Sequence, residues 1–138
     1  MTRTEHPSGL YFLFTVEMWE RFSFYGMRAL LMLYMIKSLG FQTEKAGTVY
    51  GYYTGLVYMT PLIGGYLADR YFGARFCIMI GGILMALGHF AMAFPGESIF
   101  YLALGLLIIG NGFFKPNIST MVGALYEEND ARRDGGFT

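Results

Sequence analysis

Two long stretches of the chain carry no Lys, Arg, Asp or Glu: 23 residues from Ala46 to Ala68, and 19 from Phe76 to Phe94 whose titratable side chains are Cys77 and His89. A bilayer core of about 30 Å is crossed by roughly 20 residues at about 1.5 Å of helical rise each, so each stretch predicts a membrane-spanning helix. From Ser98 to Tyr126 the pattern is uncharged apart from Lys115. From Leu10 to Leu39 it is apolar apart from Glu17, Glu20, Arg21, Arg28 and Lys37. The pattern therefore predicts helices over about 10–39, 44–68, 75–94 and 98–126, with polar connections at Ser38 to Lys45, Asp69 to Arg75 and Pro95 to Glu97 closing helical hairpins. The expected fold class is an all-α membrane protein of antiparallel helices.

Composition agrees with that reading. The 138 residues are 54% hydrophobic and 14% charged, against the quarter that soluble domains carry. Ten basic and ten acidic residues give a formal net charge of zero, so no basic field exists to hold nucleic acid. Cys77, the single cysteine, supports neither a disulfide nor a metal or redox motif and reads as core filler. Arg3, Arg70, Arg75, Arg132 and Arg133 fall on one side of the spans and Lys37 and Lys45 on the other, which places both termini in the cytoplasm. The first span is too long and too charged for a cleavable signal. Residues 127–138 gather Glu127, Glu128, Asp130, Arg132, Arg133 and Asp134, and read as a truncated cytoplasmic loop. Four helices offer little surface to cover five inward charges, so a piece of a larger membrane protein is expected.

Those charges are the chemistry. On a helix at about 100° per residue, Glu20, Arg21, Phe24 and Arg28 lie within about 60° of Glu17. A charge at mid-bilayer costs about 2.5–3.5 kcal/mol on insertion scales, so these should face protein or a wet cavity and largely pair with one another; structural ion pairing between helices is the plainer account. Lys115 precedes Pro116, where a kink is expected, and the carboxylates of the first helix are the acids at comparable depth. A contact of Glu17 or Glu20 with Lys115 follows. With Arg21, Arg28 and Lys115 against Glu17 and Glu20, one positive charge is left over, which suits an anionic ligand group. Gly47, Gly51 and Gly55, four apart, read chiefly as a helix-packing stripe. Among Tyr50, Tyr52, Tyr53 and Tyr58, most read as packing or interfacial, with one phenol free for a substrate. His89 reads as a satisfied or interfacial histidine. Asp69 beside Arg70 and Arg75 could latch a helix end to a neighbour. Serine-nucleophile triads, metal-ligand spacing and nucleotide loops are absent from the sequence, so neither an enzyme nor a cofactor or metal is expected.

Three motifs carry a resemblance. Gly65 to Arg75, with Gly65, Asp69, Arg70, Gly73 and Arg75 in place, resembles the loop signature G-x-x-x-D-R-x-x-G-x-R of the major facilitator superfamily. E-M-W-E-R-F-S-F-Y-G from Glu17 to Gly26 resembles the E-x-x-E-R-F-x-Y-Y signature of its proton-dependent oligopeptide transporters, and G-N-G-F-F-K-P-N-I-S from Gly110 to Ser119 resembles their fourth-helix signature. The resemblance implies two six-helix bundles in the intact protein, this chain supplying the first four helices of the first bundle. It implies alternating access and proton-driven import of di- and tripeptides across the plasma (inner) membrane, with the peptide's amino end held by the second bundle. It assigns proton coupling to Glu17, Glu20, Arg21 and Lys115, and substrate binding to Arg21, Tyr25, Arg28, Tyr53 and Lys115. One position departs: Phe24 stands where the signature has a first tyrosine, removing a hydroxyl expected near Arg21 and bearing on dipeptide affinity or substrate range. The alternatives are a transporter of nitrate or another small anion on the same fold, and a structural membrane protein without transport.

Overall fold

The computed structural model describes residues 6–127, 130 and 132–137; Arg3 and Glu128 lie outside them. The described residues form helices without strands: α1 (Ser8–Lys37), α2 (Thr43–Leu67), a π-helical turn (Ala68–Phe72), α3 (Ala74–Met92), α4 (Glu97–Ala124) and the short α5 (Arg133–Gly136). By length and composition α3 and α4 are apolar enough to cross a membrane. Helix α1 carries five charged side chains along its length, and glycines and tyrosines lower the apolar character of α2.

Short connections turn the chain back between successive helices, so α1 and α3 run in one direction and α2 and α4 in the other. The Tyr34 hydroxyl near the end of α1 accordingly donates to the Met92 carbonyl at the end of α3 (3.2 Å). Lys45 at the start of α2 pairs with Glu97 at the start of α4 (2.5 Å). At that end Phe41, Phe100, Leu31, Met35 and Ala46 form a buried cluster, with the Phe41 ring edge-on to Phe100 at 6.1 Å.

The link between α2 and α3 is not the polar turn expected over Asp69 to Arg75. Helix α2 continues into the π turn and Gly73 alone breaks the helical run, at φ 78°, a left-handed conformation that side-chain-bearing residues avoid. Asp69, Arg70 and Arg75 are exposed and make no ion pair among the described residues. The expected latch is therefore open, with Arg70 lying near the Tyr71 ring at 5.9 Å.

Helix α4 is the centre of the assembly, seated against α2 and α3 through glycines. A methyl on Gly64 would lie 2.0 Å from the Gly112 carbonyl oxygen, one on Gly81 2.7 Å from the Gly110 oxygen, and one on Gly110 2.8 Å from the Gly81 oxygen. Helix α4 runs unbroken through Pro116. Proline cannot donate to the carbonyl four residues back, that of Gly112, and this is the oxygen against which Gly64 rests. The expected stripe Gly47, Gly51 and Gly55 does no packing here: a methyl on any of them meets nothing within 4 Å. Those glycines point away from α4, so spacing alone misidentified the packing face. Cys77 is buried, as core filler should be.

Candidate functional site

The charged stripe of α1 is divided among three partners. Arg21 donates to Glu17 through Nη2 (2.5 Å) and Nε (3.1 Å), an i, i+4 pair on the helix surface with the arginine side chain 61% exposed. Glu20, one turn on, is directed toward α4, where its Oε1 accepts from Asn111 Nδ2 at 3.1 Å. Arg28 reaches α2, donating from Nε to the Tyr50 hydroxyl at 2.8 Å, its guanidinium 5.5 Å from that ring's centre. The expectation that these charges pair largely with one another thus holds for Glu17 and Arg21 alone. Glu20 and Arg28 take neutral partners, because the facing helices present an amide and a phenol at those levels.

Lys115 forms no ion pair with Glu17 or Glu20, contrary to the expected contact. It is exposed, with Nζ 5.9 Å from the centre of the Tyr58 ring. One helical turn separates Asn111 from Lys115, so both lie on the same side of α4: the amide reaches Glu20 while the longer lysine side chain stands in the open beside it.

The tyrosines separate by burial. Tyr53 is 2% exposed and its hydroxyl has no partner, whereas Tyr25 is 53% exposed. Phe24 is buried between them, edge-on to Tyr25 at 5.4 Å and tilted against Tyr53 at 6.5 Å. The ring of residue 24 is thus held by aromatic contacts on both sides, without a hydroxyl. Glu20, Phe24, Trp19, Met85 and His89 share the wall of an open groove of about 620 Å³ between α1, α3 and α4.

Two polar residues of this site escaped the reading of the sequence. Tyr50 stood undistinguished among four tyrosines. The sequence signal for Asn111 is an amide flanked by two glycines at mid-span. Among the described residues no group of His, Cys, Asp and Glu is arranged to hold a metal.

The end of α4 forms a separate polar cluster. The Tyr126 hydroxyl and His6 Nδ1 lie 2.8 Å apart, and a methyl on Gly136 of α5 would come within 2.6 Å of that hydroxyl. Asp130 accepts from the Arg132 backbone and guanidinium, and those hydrogen bonds hold its carboxyl down at about 2.

The sequence and the fold both have close counterparts. The model of the family described as PTR2, POT family, matches residues 75–138. A di-/tripeptide transporter of Lactococcus lactis subsp. lactis (strain IL1403) is 48% identical over 139 aligned positions, covering 95% of this chain and 28% of the relative. An uncharacterised transporter of Bacillus subtilis (strain 168), YclF, is 49% identical over 96% of this chain and 28% of its own length. A crystal structure of a POT peptide transporter in complex with sulfate superposes with a TM-score of 0.93 at 43% identity, over 99% of this chain and 29% of that one. The chain thus spans somewhat over a quarter of the length of the proteins it matches. Residues 75–138 match the POT family, and the chain has the major facilitator fold of the POT transporters on which it superposes.

Proposed function

We propose that the whole protein carrying this chain imports di- and tripeptides with protons by alternating access, residues 1–138 being its first four membrane-spanning helices, packed in a lipid bilayer against a second six-helix bundle. The observation that carries the reading is the mixed cluster on α1 and α4: a hydrogen-bonded Glu17–Arg21 pair, Glu20 held by Asn111, and an unpaired Lys115 one turn beyond that amide, near the Tyr58 ring. A protein whose Glu17 holds Arg21 in this way can trade one partner for another. Protonation of Glu17 removes the charge that binds the guanidinium and frees Arg21 for the carboxylate of a peptide. Lys115, already exposed, supplies a second cation for the same group, and Arg28 with Tyr50 a third polar contact deeper along α1. Tyr25 lines the substrate's path with Tyr53 buried behind Phe24, and Gly65, Asp69, Arg70, Gly73 and Arg75 form the connection that shifts as the bundles rock.

The chemistry of each step is ordinary. An acid among cations favours its charged form, while closing the cavity removes water and favours the neutral one, so the conformational cycle itself can take up and release a proton. In this reading both termini are cytoplasmic and the membrane is the plasma (inner) membrane. The 48% identity to a di-/tripeptide transporter supports the cargo. The excess of one cation in the cluster also fits a small inorganic anion, and a POT structure holding sulfate makes that a competitor to test.

The test is reconstitution of the full-length protein in liposomes, with uptake of labelled dialanine followed under an inward acidic gradient and a negative interior potential. Saturable uptake that collapses with the gradient, and that unlabelled dipeptide but not nitrate competes away, is expected. Nitrate competition at matched concentration would move the cargo to the anion class. Folded protein without uptake of either would favour a structural role for the ion pairs.

A further inference from the structure

Three successive residues of α4 face three different helices. Gly110 abuts α3, where an added methyl would meet Met85 and Gly81; Gly112 abuts α2, where one would meet Thr60 at 2.7 Å. Asn111 between them points to α1 and donates to Glu20 across 91 positions of sequence. Because the two glycines leave α4 no room to turn about its axis, the direction of the Asn111 side chain is fixed by the backbone rather than by its own contacts.

The amide itself is held at one end only. Asn111 is 1% exposed, yet its Oδ1 has no hydrogen-bond partner. A buried acceptor of this kind is costly unless something uses it, and an amide bound at one end is free to turn about its last side-chain bond. In one orientation it presents an N–H to a carboxylate; in the other it presents a carbonyl oxygen to a protonated carboxyl O–H.

We propose that Asn111 is a positioning residue that keeps Glu20 on the α1–α4 contact in both of its protonation states, donating to the carboxylate and, after the amide turns, accepting from the acid. This rests on the reading of Glu20 as a proton-coupling group. The proton arrives from water on the side to which the cavity is open and leaves to water on the other side once the cavity has reopened there; Asn111 neither gives nor takes it. The other groups acting on or facing Glu20 are Glu17 and Arg21 from α1, the Tyr53 hydroxyl from α2, His89 across the groove from α3, and Lys115 from α4. Of the groups on the helices facing α1, Asn111 is the one in direct hydrogen-bond contact with Glu20.

The experiment separates the pair from the transport reading. Infrared difference spectra of the full-length protein, without substrate or gradient, follow the Glu20 carboxyl stretch against pH, the band being assigned by its loss in Glu20→Gln. Asn111→Leu, of similar size but unable to donate or accept, is expected to move the midpoint upward by up to about one pH unit, because the hydrogen bond lost from the charged carboxylate is stronger than the neutral one lost from the acid. Asn111→Asp, of the same shape, is expected to move it upward as well, since two carboxyls then share a proton; it serves where the leucine variant does not fold. Asn111→Gln should return it toward wild type. The pH midpoint of dialanine uptake should shift in parallel. A Glu20 midpoint unchanged in both the leucine and aspartate variants overturns the assignment, whatever uptake does. A shifted midpoint in a protein without proton-driven uptake sustains the pair and overturns the coupling reading on which its purpose rests.

Discussion

Against α2 and α3, helix α4 presents glycine backbones at contact distance; against α1 it presents an amide and a lysine. The first kind of interface leaves no slack, because a methyl at Gly64 or Gly81 would lie within 3 Å of a carbonyl oxygen. The second sets one hydrogen bond at 3.1 Å and charges that do not touch beside apolar packing of Leu31, Tyr34 and Met35 with Phe100. Interiors packed backbone to backbone transmit force as a unit, whereas polar contacts can be exchanged for water or ligand. In the proposed transport cycle the three-helix unit α2–α3–α4 is thus a platform, and α1 the element whose contacts can change.

The largest effect should come from breaking the platform. Gly64→Ala places a carbon against the Gly112 oxygen, a backbone atom that cannot rotate away. Its cost should exceed the usual 1–3 kcal/mol of an overpacked site, so more than about 3 kcal/mol. The full-length variant is expected to lose its monodisperse folded fraction in detergent. Gly65→Ala is the control: its nearest neighbour, Pro116 Cβ, would be an ordinary 3.4 Å away, and its thermal unfolding should stay at wild type or rise slightly, alanine being the better helix former. Equal loss in both would show that the whole α2–α4 seam is tight and that the Gly64 contact is nothing special.

That asymmetry was only half legible in the sequence. The all-α membrane fold was, because long stretches without charge admit few other structures, and so was the family, through residues at fixed spacing around Glu17, Asp69 and Lys115. The packing face of α2 was not: Gly47, Gly51 and Gly55 show the ideal period, but Gly64 makes the contact, since which face of a helix meets a neighbour depends on where that neighbour lies. Nor was the continuation of α2 as a π turn, because Asp69 and Arg70 look like loop residues and helical hydrogen bonding leaves no mark on composition. The pairing of charges failed for a related reason. Like finds unlike in a list of residues, but Asn111 and Tyr50 occupy the positions facing Glu20 and Arg28, and geometry rather than charge chose the partners.

On the α1 side the expected effects are functional. Glu17→Gln removes the Arg21 pair, and with so exposed an arginine the loss of stability should be within about 1 kcal/mol. Gradient-driven dialanine uptake should nevertheless fall to background, while exchange of labelled for unlabelled dipeptide across the membrane continues. Driven uptake at the wild-type rate would remove Glu17 from the coupling step.

A smaller change is expected from Tyr50→Phe, which deletes the phenol that Arg28 contacts at 2.8 Å and keeps the ring beneath the guanidinium. Losing one hydrogen bond of about 1 kcal/mol corresponds to a rise in KM of roughly fivefold with the maximal rate kept. A fall in maximal rate at constant KM would instead mean that the bond acts on the moving helix and not on bound peptide.

The smallest effect is expected from Asp130→Asn, and it sharpens the comparison by excluding the far end of α4. The Asp130 carboxyl is held at about 2 by its hydrogen bonds to Arg132. A carboxylate depressed in the folded state contributes stability above its unfolded value, near the ordinary aspartate range of about 3.9, and loses that contribution only as pH falls toward 2. Over the pH range of the proposed proton-driven uptake it is always charged, so it cannot report pH there. The asparagine variant should therefore leave the pH profile of dialanine uptake superimposable on wild type, with any loss of stability independent of pH above about 4. A displaced pH midpoint would mean that the cluster of His6, Tyr126 and Arg132 senses protons after all, and that the titrating face of the protein extends beyond the α1–α4 contact.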